Sequence, residues 1–405
     1  MKKHQKYFPV YKNGKLQNKF LIAADNVTDT NPANIILGNE RVLNARLHDA
    51  QFFFSEDTKH DFDFFNNKLK FITFQQKLGS VADKNKRNLE MAKFLIEKLD
   101  INKEDEKVCI SVVENMKADL STSMVFEFTE LQGYVGQQYA IEWGFDKQIA
   151  NGIYEHYMPA FAGDNMPSTI HGTIASLSDK IDTICGHFSI GNTPSGSQDP
   201  YALRRQANGI VLILMNNKDL QIDLSTLLEK SLCILKSENS EKILKTLEDF
   251  FLQRIFTLLK DQDIPMDTIK AANTLDISLL KKRLAFIEIL KPALEYKSII
   301  EAIVRVLNIT KNVKAPGEVD PSLFQHDIEE TLYDKSLVFK SISKDDTWNE
   351  STLHRLAKGA SIINAYFDDI LVMDKDEKIK NNRLSTLYSI ATSTAIFANF
   401  KEFIT

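Results

Sequence analysis

The sequence predicts a mostly α-helical protein with a single β-hairpin at its start, and three observations carry that expectation. Apolar residues recur at helical spacing over long stretches. Glycine and proline are scarce, 15 and 10 in 405 residues, which suits long helices with short connections. The first 25 residues read differently from the rest, with two β-prone runs flanking a tight-turn dipeptide.

Those runs are Tyr7-Phe8-Pro9-Val10-Tyr11 and Phe20-Leu21-Ile22-Ala23-Ala24, and Asn13-Gly14 lies between them. Asn-Gly tolerates the positive φ angles of a two-residue hairpin turn. A lone hairpin is marginal in water, so this one is expected to belong to a larger sheet. From about residue 31 the signals are helical. Asn31-Pro32 offers an N-cap with proline at the first helical position, and Asp199-Pro200 repeats the device before Tyr201-Ala202-Leu203-Arg204-Arg205. Ile170, Ile174, Leu177, Ile181 and Ile184 form one apolar stripe; Leu244, Leu247, Phe251, Ile255 and Leu258 form another. Polar breakers cluster in 216–243, at Asn216-Asn217-Lys218-Asp219 and Lys236-Ser237-Glu238-Asn239-Ser240. A second break at Val313-Lys314-Ala315-Pro316-Gly317 coincides with a change of charge. Residues 277–315 carry eight basic and three acidic side chains, whereas 316–405 carry ten basic and fifteen acidic.

Composition excludes several classes. With 43% hydrophobic and 26% charged residues the chain is globular, neither collagen-like nor disordered. Fifty Lys and Arg against 55 Asp and Glu give a net charge of −5, so any nucleic-acid contact must come from a local basic patch. Cys109, Cys185 and Cys233 are too widely spaced for a disulfide framework or a CxxC metal site. Reduced thiols, the lack of a membrane-length apolar run and no signal-peptide core after Met1-Lys2-Lys3-His4 predict a cytoplasmic protein without membrane contact.

No phosphate-binding glycine loop, HExxH helix or GxSxG elbow occurs, which points to a binding or accessory subunit. The densest polar region, Lys117 to Asp182, holds Asp119, Glu127, Glu130, His156, Asp164, His171, Asp179 and Asp182. Asp119, His156 and Asp179 could serve as donors to a phosphohydrolase-type metal ion. Helix caps and solvated faces explain the same residues better. At about 100° per residue Asp179 falls opposite the Ile170 stripe, where solvent or another helix would lie, and no metal is assigned. Arg41 and Arg46, in Gly38-Asn39-Glu40-Arg41-Val42-Leu43-Asn44-Ala45-Arg46-Leu47-His48-Asp49-Ala50, stand about 140° apart on a helix. One is placed to pair with a carboxylate and the other to face a ligand. For these and for Arg204 and Arg205, ion pairing is the commoner role. His60, His187, His326 and His354 read as surface or packing residues.

Many short stretches, in order along nearly the whole chain, resemble the β subunit of bacterial heterotetrameric glycyl-tRNA synthetase. They include His4-Gln5-Lys6-Tyr7-Phe8-Pro9-Val10, the Gly38–Ala50 run, Phe74-Gln75-Gln76-Lys77-Leu78-Gly79-Ser80 with Asp83-Lys84, and Met124-Val125-Phe126-Glu127-Phe128-Thr129-Glu130-Leu131-Gln132-Gly133 with Gly136. Further along come Glu155-His156-Tyr157-Met158-Pro159, Phe161-Ala162-Gly163-Asp164, Pro167-Ser168, Ser178-Asp179-Lys180-Ile181-Asp182-Thr183, Gly186 and Gly191. Gly196-Ser197-Gln198-Asp199-Pro200-Tyr201-Ala202-Leu203-Arg204-Arg205, Phe367-Asp368-Asp369-Ile370-Leu371-Val372-Met373 and Asn382-Arg383-Leu384 complete the series.

The resemblance implies an α2β2 complex in which a separate α subunit carries the class II active site and charges glycine onto tRNA(Gly) with ATP and Mg²⁺. It implies no catalytic residue and no cofactor in this chain. The expected division is a remnant of an N-terminal domain (1–28), a helical domain related to HD phosphohydrolases (29–215), a helical linker or body (216–276) and an anticodon-binding helical domain (277–405). Family chains are longer at the N-terminus, so the match begins in mid-domain. Candidate tRNA contacts are Arg41, Arg46, Arg204 and Arg205, then Arg305, Lys311 and Lys314 from the basic segment, with Arg383 from the acidic one. Pairing with Glu301, one turn earlier, is the competing role for Arg305. An HD site needs a His-Asp pair; here Ala118-Asp119 stands in its place, so Asp119, His156 and Asp179 mark a degenerate site. An active HD-type metal-dependent phosphohydrolase is the alternative function, and a protein-docking scaffold a third.

Overall fold

The expected hairpin forms. In the computed structural model β1 (Tyr7–Lys12) and β2 (Lys15–Ile22) pair antiparallel around Asn13 and Gly14, whose φ angles are 50° and 73°, the positive pair that the turn requires. The structure describes residues 6–24, 32–217, 220, 222–314 and 317–403. The Met1–His4 start, the Asn31 cap, Lys218-Asp219 and Ala315-Pro316 lie outside the described residues. Among those residues the hairpin stays two-stranded. It is tied to α1 (Pro32–Asp57) by the Tyr7 hydroxyl, which donates to Asn39 Oδ1 at 2.6 Å. α1 opens on the proline expected at its first position.

Eight helices follow α1 in the first half: α2 (Phe62–Lys68), α3 (Val81–Lys98), α4 (Lys103–Asn115), α5 (Ser123–Glu127), α6 (Tyr134–Glu142), α7 (Lys147–Glu155), α8 (Ile170–Ser189) and α9 (Leu203–Asn216). Between α2 and α3 lies a second strand pair, β3 (Thr73–Gln75) with β4 (Gly79–Ser80), which helical periodicity did not reveal. The second half comprises α10 (Leu224–Ile234), α11 (Ser240–Lys260), α12 (Met266–Ala272), α13 (Ile277–Leu290), α14 (Tyr296–Ile309), α15 (Asp327–Ile342), α16 (Glu350–Asp369) and α17 (Glu377–Thr394). No helix among the described residues is long and apolar enough to cross a membrane.

Side-chain caps fix the helix starts around the centre. Ser80 and Asp83 form a capping box at α3, Asn102 caps α4 and Thr169 caps α8. The Asp199 cap works from further away than expected. α9 begins only at Leu203, after Ala202 in the left-handed region, and the Asp199 carboxylate reaches forward to accept from the Leu203 and Arg204 amides at 2.8 and 2.9 Å. Pro200 therefore lies outside the helix. On α11 the buried stripe is Leu247, Phe251, Ile255 and Leu259, with Leu244 and Leu258 at its margins. A straight run of i+4 steps has carried the stripe one residue past Leu258.

α8 is the axis of the first half. Every residue from His171 to Phe188 is buried, because α3, α4, α7, α9, α10 and α11 all pack against it. The main hydrophobic core continues without a gap from Phe62 to Phe403. A smaller group, Met124, Val125, Phe128, Val135 and Tyr139, packs beside Phe53 of α1. There Asp57, at the end of α1, accepts from the Ser123 and Met124 amides at 3.0 and 2.9 Å and from the Tyr139 hydroxyl at 3.0 Å, so it satisfies the opening amides of α5.

In the C-terminal block α15 packs on α16 and α17, and α14 on the same pair. The α15–α16 approach depends on Gly359, since a Cβ there would overlap the Phe339 ring. Gly359→Ala is accordingly expected to destabilise the fold by about 1–3 kcal/mol through overpacking, outweighing its better helix propensity. Urea denaturation followed by circular dichroism measures this; an unchanged midpoint would show that the contact is loose.

Candidate functional site

Helical spacing builds a charge network into the interior. Lys84, Arg87 and Asn88, at i, i+3 and i+4 of α3, share the face turned toward α8. The Asp179 carboxylate on α8 receives the Lys84 ammonium at 3.2 Å, the Asn88 amide at 3.1 Å and, from the segment after α4, the Lys117 ammonium at 2.8 Å. Three residues on, Asp182 accepts from Arg87 Nε at 2.6 Å and Nη2 at 3.1 Å and from Lys84 at 3.2 Å. Lys180 turns the other way. Its ammonium donates to Ser176 Oγ at 2.9 Å and to the carbonyls of His156, Tyr157 and Met158 at 3.3, 3.2 and 3.1 Å, just past the end of α7.

Burial sets the protonation states. It would raise the Asp179 carboxyl, but the Lys117 and Lys84 ammonium groups outweigh it and hold that carboxyl well below the usual range. The same burial lowers Lys180 to about 7, partly opposed by Asp179, and drives His156 well below its ordinary value, so its ring is neutral. Asp119 is pushed up to about 6, chiefly by burial, although the Gly133 amide donates to its Oδ2 at 2.6 Å.

The reading of Asp119, His156 and Asp179 as caps and solvated faces is corrected here, since all three are buried. The helical wheel left solvent or another helix opposite the stripe; it is another helix, α3, whose Lys84 and Asn88 meet Asp179, and α8 is covered on every side. The donor set nevertheless does not fit an HD-type metal. Ala118 is fully buried where the histidine would stand, and both Asp179 oxygens already hold ammonium groups. Among the described residues no three His, Cys, Asp or Glu side chains are placed to share an ion. His171 is instead committed to Asp105 of α4 at 2.8 Å.

Above the network opens a cleft of about 480 Å³, with Lys84, Lys117, Asp179 and Lys180 among its lining and Tyr157, Tyr201 and Arg205 around it. The His187 ring packs against Tyr201 with centroids 4.0 Å apart. Three polar atoms nearby, Asp119 Oδ1, His156 Nε2 and the Tyr157 hydroxyl, are buried with no hydrogen-bond partner among the described residues. The sequence reading gave the three lysines no role, although Lys84-x-x-Arg87-Asn88 facing Asp179-x-x-Asp182 is a visible pairing of helical spacings.

The predicted surface cations separate into different environments. Arg41 is exposed on α1, while Arg46 packs over the Phe128 ring at 5.8 Å. Arg204 is partly buried beside Arg254, and Arg205 is exposed at the cleft. Arg305 lies over the Phe367 ring at 4.4 Å, with Asp368 at 3.8 Å. The alternative pairing with Glu301 is not made; Glu301 sits 3.8 Å from Lys297. Lys311 and Lys314, beyond the end of α14, are exposed. Arg383 corrects an expectation. It is 4% exposed and donates to Glu329 at 2.6 Å, Asp374 at 2.9 Å, the Leu371 carbonyl at 3.0 Å and Gln325 at 3.1 Å, which leaves it enclosed and unable to reach a phosphate.

Residues 1–274 match the family model described as glycyl-tRNA synthetase beta subunit. The chain is 36% identical over its whole length to a glycine--tRNA ligase beta subunit of Halalkalibacterium halodurans, covering 60% of that protein. It is 39% identical to the Bacillus subtilis protein of the same description, over 100% of this chain and 59% of that one. The Clostridioides difficile counterpart is 38% identical over 96% of this chain and 57% of its own length. The chain thus spans about three-fifths of the length of these relatives.

Asp119 gives the network a testable pH signature. Its folded pKa of about 6 lies above the 3.8 of an ordinary aspartate, so the folded state binds the proton more tightly between those values. The group therefore adds stability at pH 5 that is lost as pH rises through 6. The stability difference between the wild type and Asp119→Asn should shift by about 1 kcal/mol between pH 5 and pH 7, in favour of the variant at the higher pH. Denaturant titrations at the two pH values measure it, and a pH-independent difference would place the Asp119 carboxyl in water.

Proposed function

We propose that this chain, which belongs to the glycyl-tRNA synthetase beta subunit family, is the tRNA-gripping part of a cytoplasmic ligase complex. In this reading a partner alpha subunit, assembled as α2β2, supplies the catalytic centre and uses ATP and Mg²⁺ to join glycine to tRNA(Gly). This chain contributes grip and orientation and no cofactor. The observation that carries the reading is similarity to ligase beta subunits along the whole chain.

The anticodon-binding role falls to 277–405. An anticodon loop presents bases to be stacked upon and phosphates that need cations nearby. Arg305, over the Phe367 ring, and the exposed Lys311 and Lys314 supply those cations from one end of α14. Arg41 and Arg205 offer further exposed positive charge in the HD-like part. The phosphohydrolase alternative is set aside, because the Asp179 carboxylate it needs is neutralised by two lysines.

Replacing Arg305, Lys311 and Lys314 together by alanine should weaken tRNA(Gly) binding and flatten its dependence on log salt by about 2–3 units, near one per lost phosphate contact. Fluorescence anisotropy with labelled tRNA across a salt series reads both quantities. An unchanged slope with intact helical content would move the contact elsewhere, and wild-type protein that ignores tRNA(Gly) at low salt would remove the RNA-binding reading itself.

A further inference from the structure

The cleft over α8 holds more positive charge than its own carboxylates neutralise. Lys84, Lys117 and Lys180 line it with Arg205 against one lining carboxylate, Asp179, while Asp182 behind it is taken by Arg87 and Lys84, and burial makes uncompensated charge costly. Lys117 is the least committed of the three lysines. Its one hydrogen bond among the described residues goes to Asp179, and its ammonium otherwise rests on the Tyr157 ring, 4.4 Å from the centroid. The Tyr157 hydroxyl on that ring is itself buried without a partner. Both residues line the cleft, as does Arg205, exposed at its edge. Tyr201, 46% exposed, presents an aromatic ring there, backed by His187. The volume of about 480 Å³ falls in the range of small-molecule sites.

We propose that this cleft binds a nucleotide through its phosphate, with the phosphoryl group against Lys117 and Arg205 and the base against Tyr201. A phosphate supplies the negative charge that the interior lacks and oxygens to accept the spare Lys117 protons, and an aromatic face suits any base. Lysine ammonium groups on Asp179 make the site one for an anion, where an HD-type site would hold a cation. A free mononucleotide and a nucleotide of an RNA strand present the same group; the strand as source rests on the tRNA reading, in which Arg205 already offers positive charge, and the free nucleotide does not.

Calorimetric titration of the full chain with AMP, orthophosphate, adenosine and a short single-stranded RNA tests the proposal and separates its two sources. AMP and orthophosphate should bind saturably and adenosine about tenfold more weakly than AMP, with Arg205→Ala and Lys117→Met each weakening AMP at least about tenfold. Arg205 is exposed, so its variant keeps the readout should Lys117→Met fail to fold. AMP binding that RNA does not displace identifies a free nucleotide. Silent AMP together with RNA binding that weakens about tenfold in both Arg205→Ala and Tyr201→Ala identifies the strand, whereas weakening in Arg205→Ala alone makes Arg205 a surface tRNA contact and overturns the cleft site. The proposal is overturned if folded Arg205→Ala changes neither AMP nor RNA binding, or if adenosine binds as tightly as AMP.

Discussion

A helix covered on every side must still neutralise the charges it carries, and the first half of this molecule is arranged around that requirement. α8 brings Asp179, Lys180 and Asp182 into the interior. Each then needs a partner from another element, since stranding one member of a buried ion pair costs about 3–5 kcal/mol. α3 answers with Lys84, Arg87 and Asn88 from one face, the segment after α4 with Lys117, and the end of α7 with three carbonyls. Apolar packing supplies most of the stability; the ion pairs decide how the helices are turned against one another.

The C-terminal half uses a similar device at its own centre. Arg383 of α17 closes on Glu329 of α15 and on Asp374 in the loop ahead of its own helix. Glu329 in turn accepts from the Gln325 and His326 amides at 2.6 and 3.0 Å, so one carboxylate caps α15 and anchors α17. Charge spent this way is withdrawn from the surface. The cations at the end of α14 are not spent in this way: Lys311 and Lys314 are exposed, and among the described residues Arg305 has only the largely exposed Asp368 at 3.8 Å as an ion-pair partner.

Legibility in the sequence followed the range of the interactions involved. The hairpin and the α1 start were readable because Asn13-Gly14 and Pro32 act on their own backbone. The Asp199 cap was readable in kind but not in offset, because Ala202 takes a left-handed turn that no neighbouring residue signals. β3 and β4, three and two residues long, are too short to show an alternation. Asp179 was left facing solvent or another helix because a helical wheel orders residues around an axis without saying how many sides of it are wet. Arg383 was misjudged because its partner Glu329 stands 54 residues away, and the competing pairing of Arg305 with Glu301 was not made because Arg305 meets Phe367, 62 residues away. Family membership was legible for the opposite reason: many short motifs, each weak, kept their order along the chain.

Lys180 has a consequence for how the cleft behaves. Rooted in the middle of α8, it holds the three carbonyls past α7, and with them the Tyr157–Pro159 stretch that forms part of the wall. Floor and wall are thereby pinned to a single side chain, in the manner of a rivet through two plates. A guest arriving there finds a surface that is already ordered, so little conformational entropy remains to be surrendered on association.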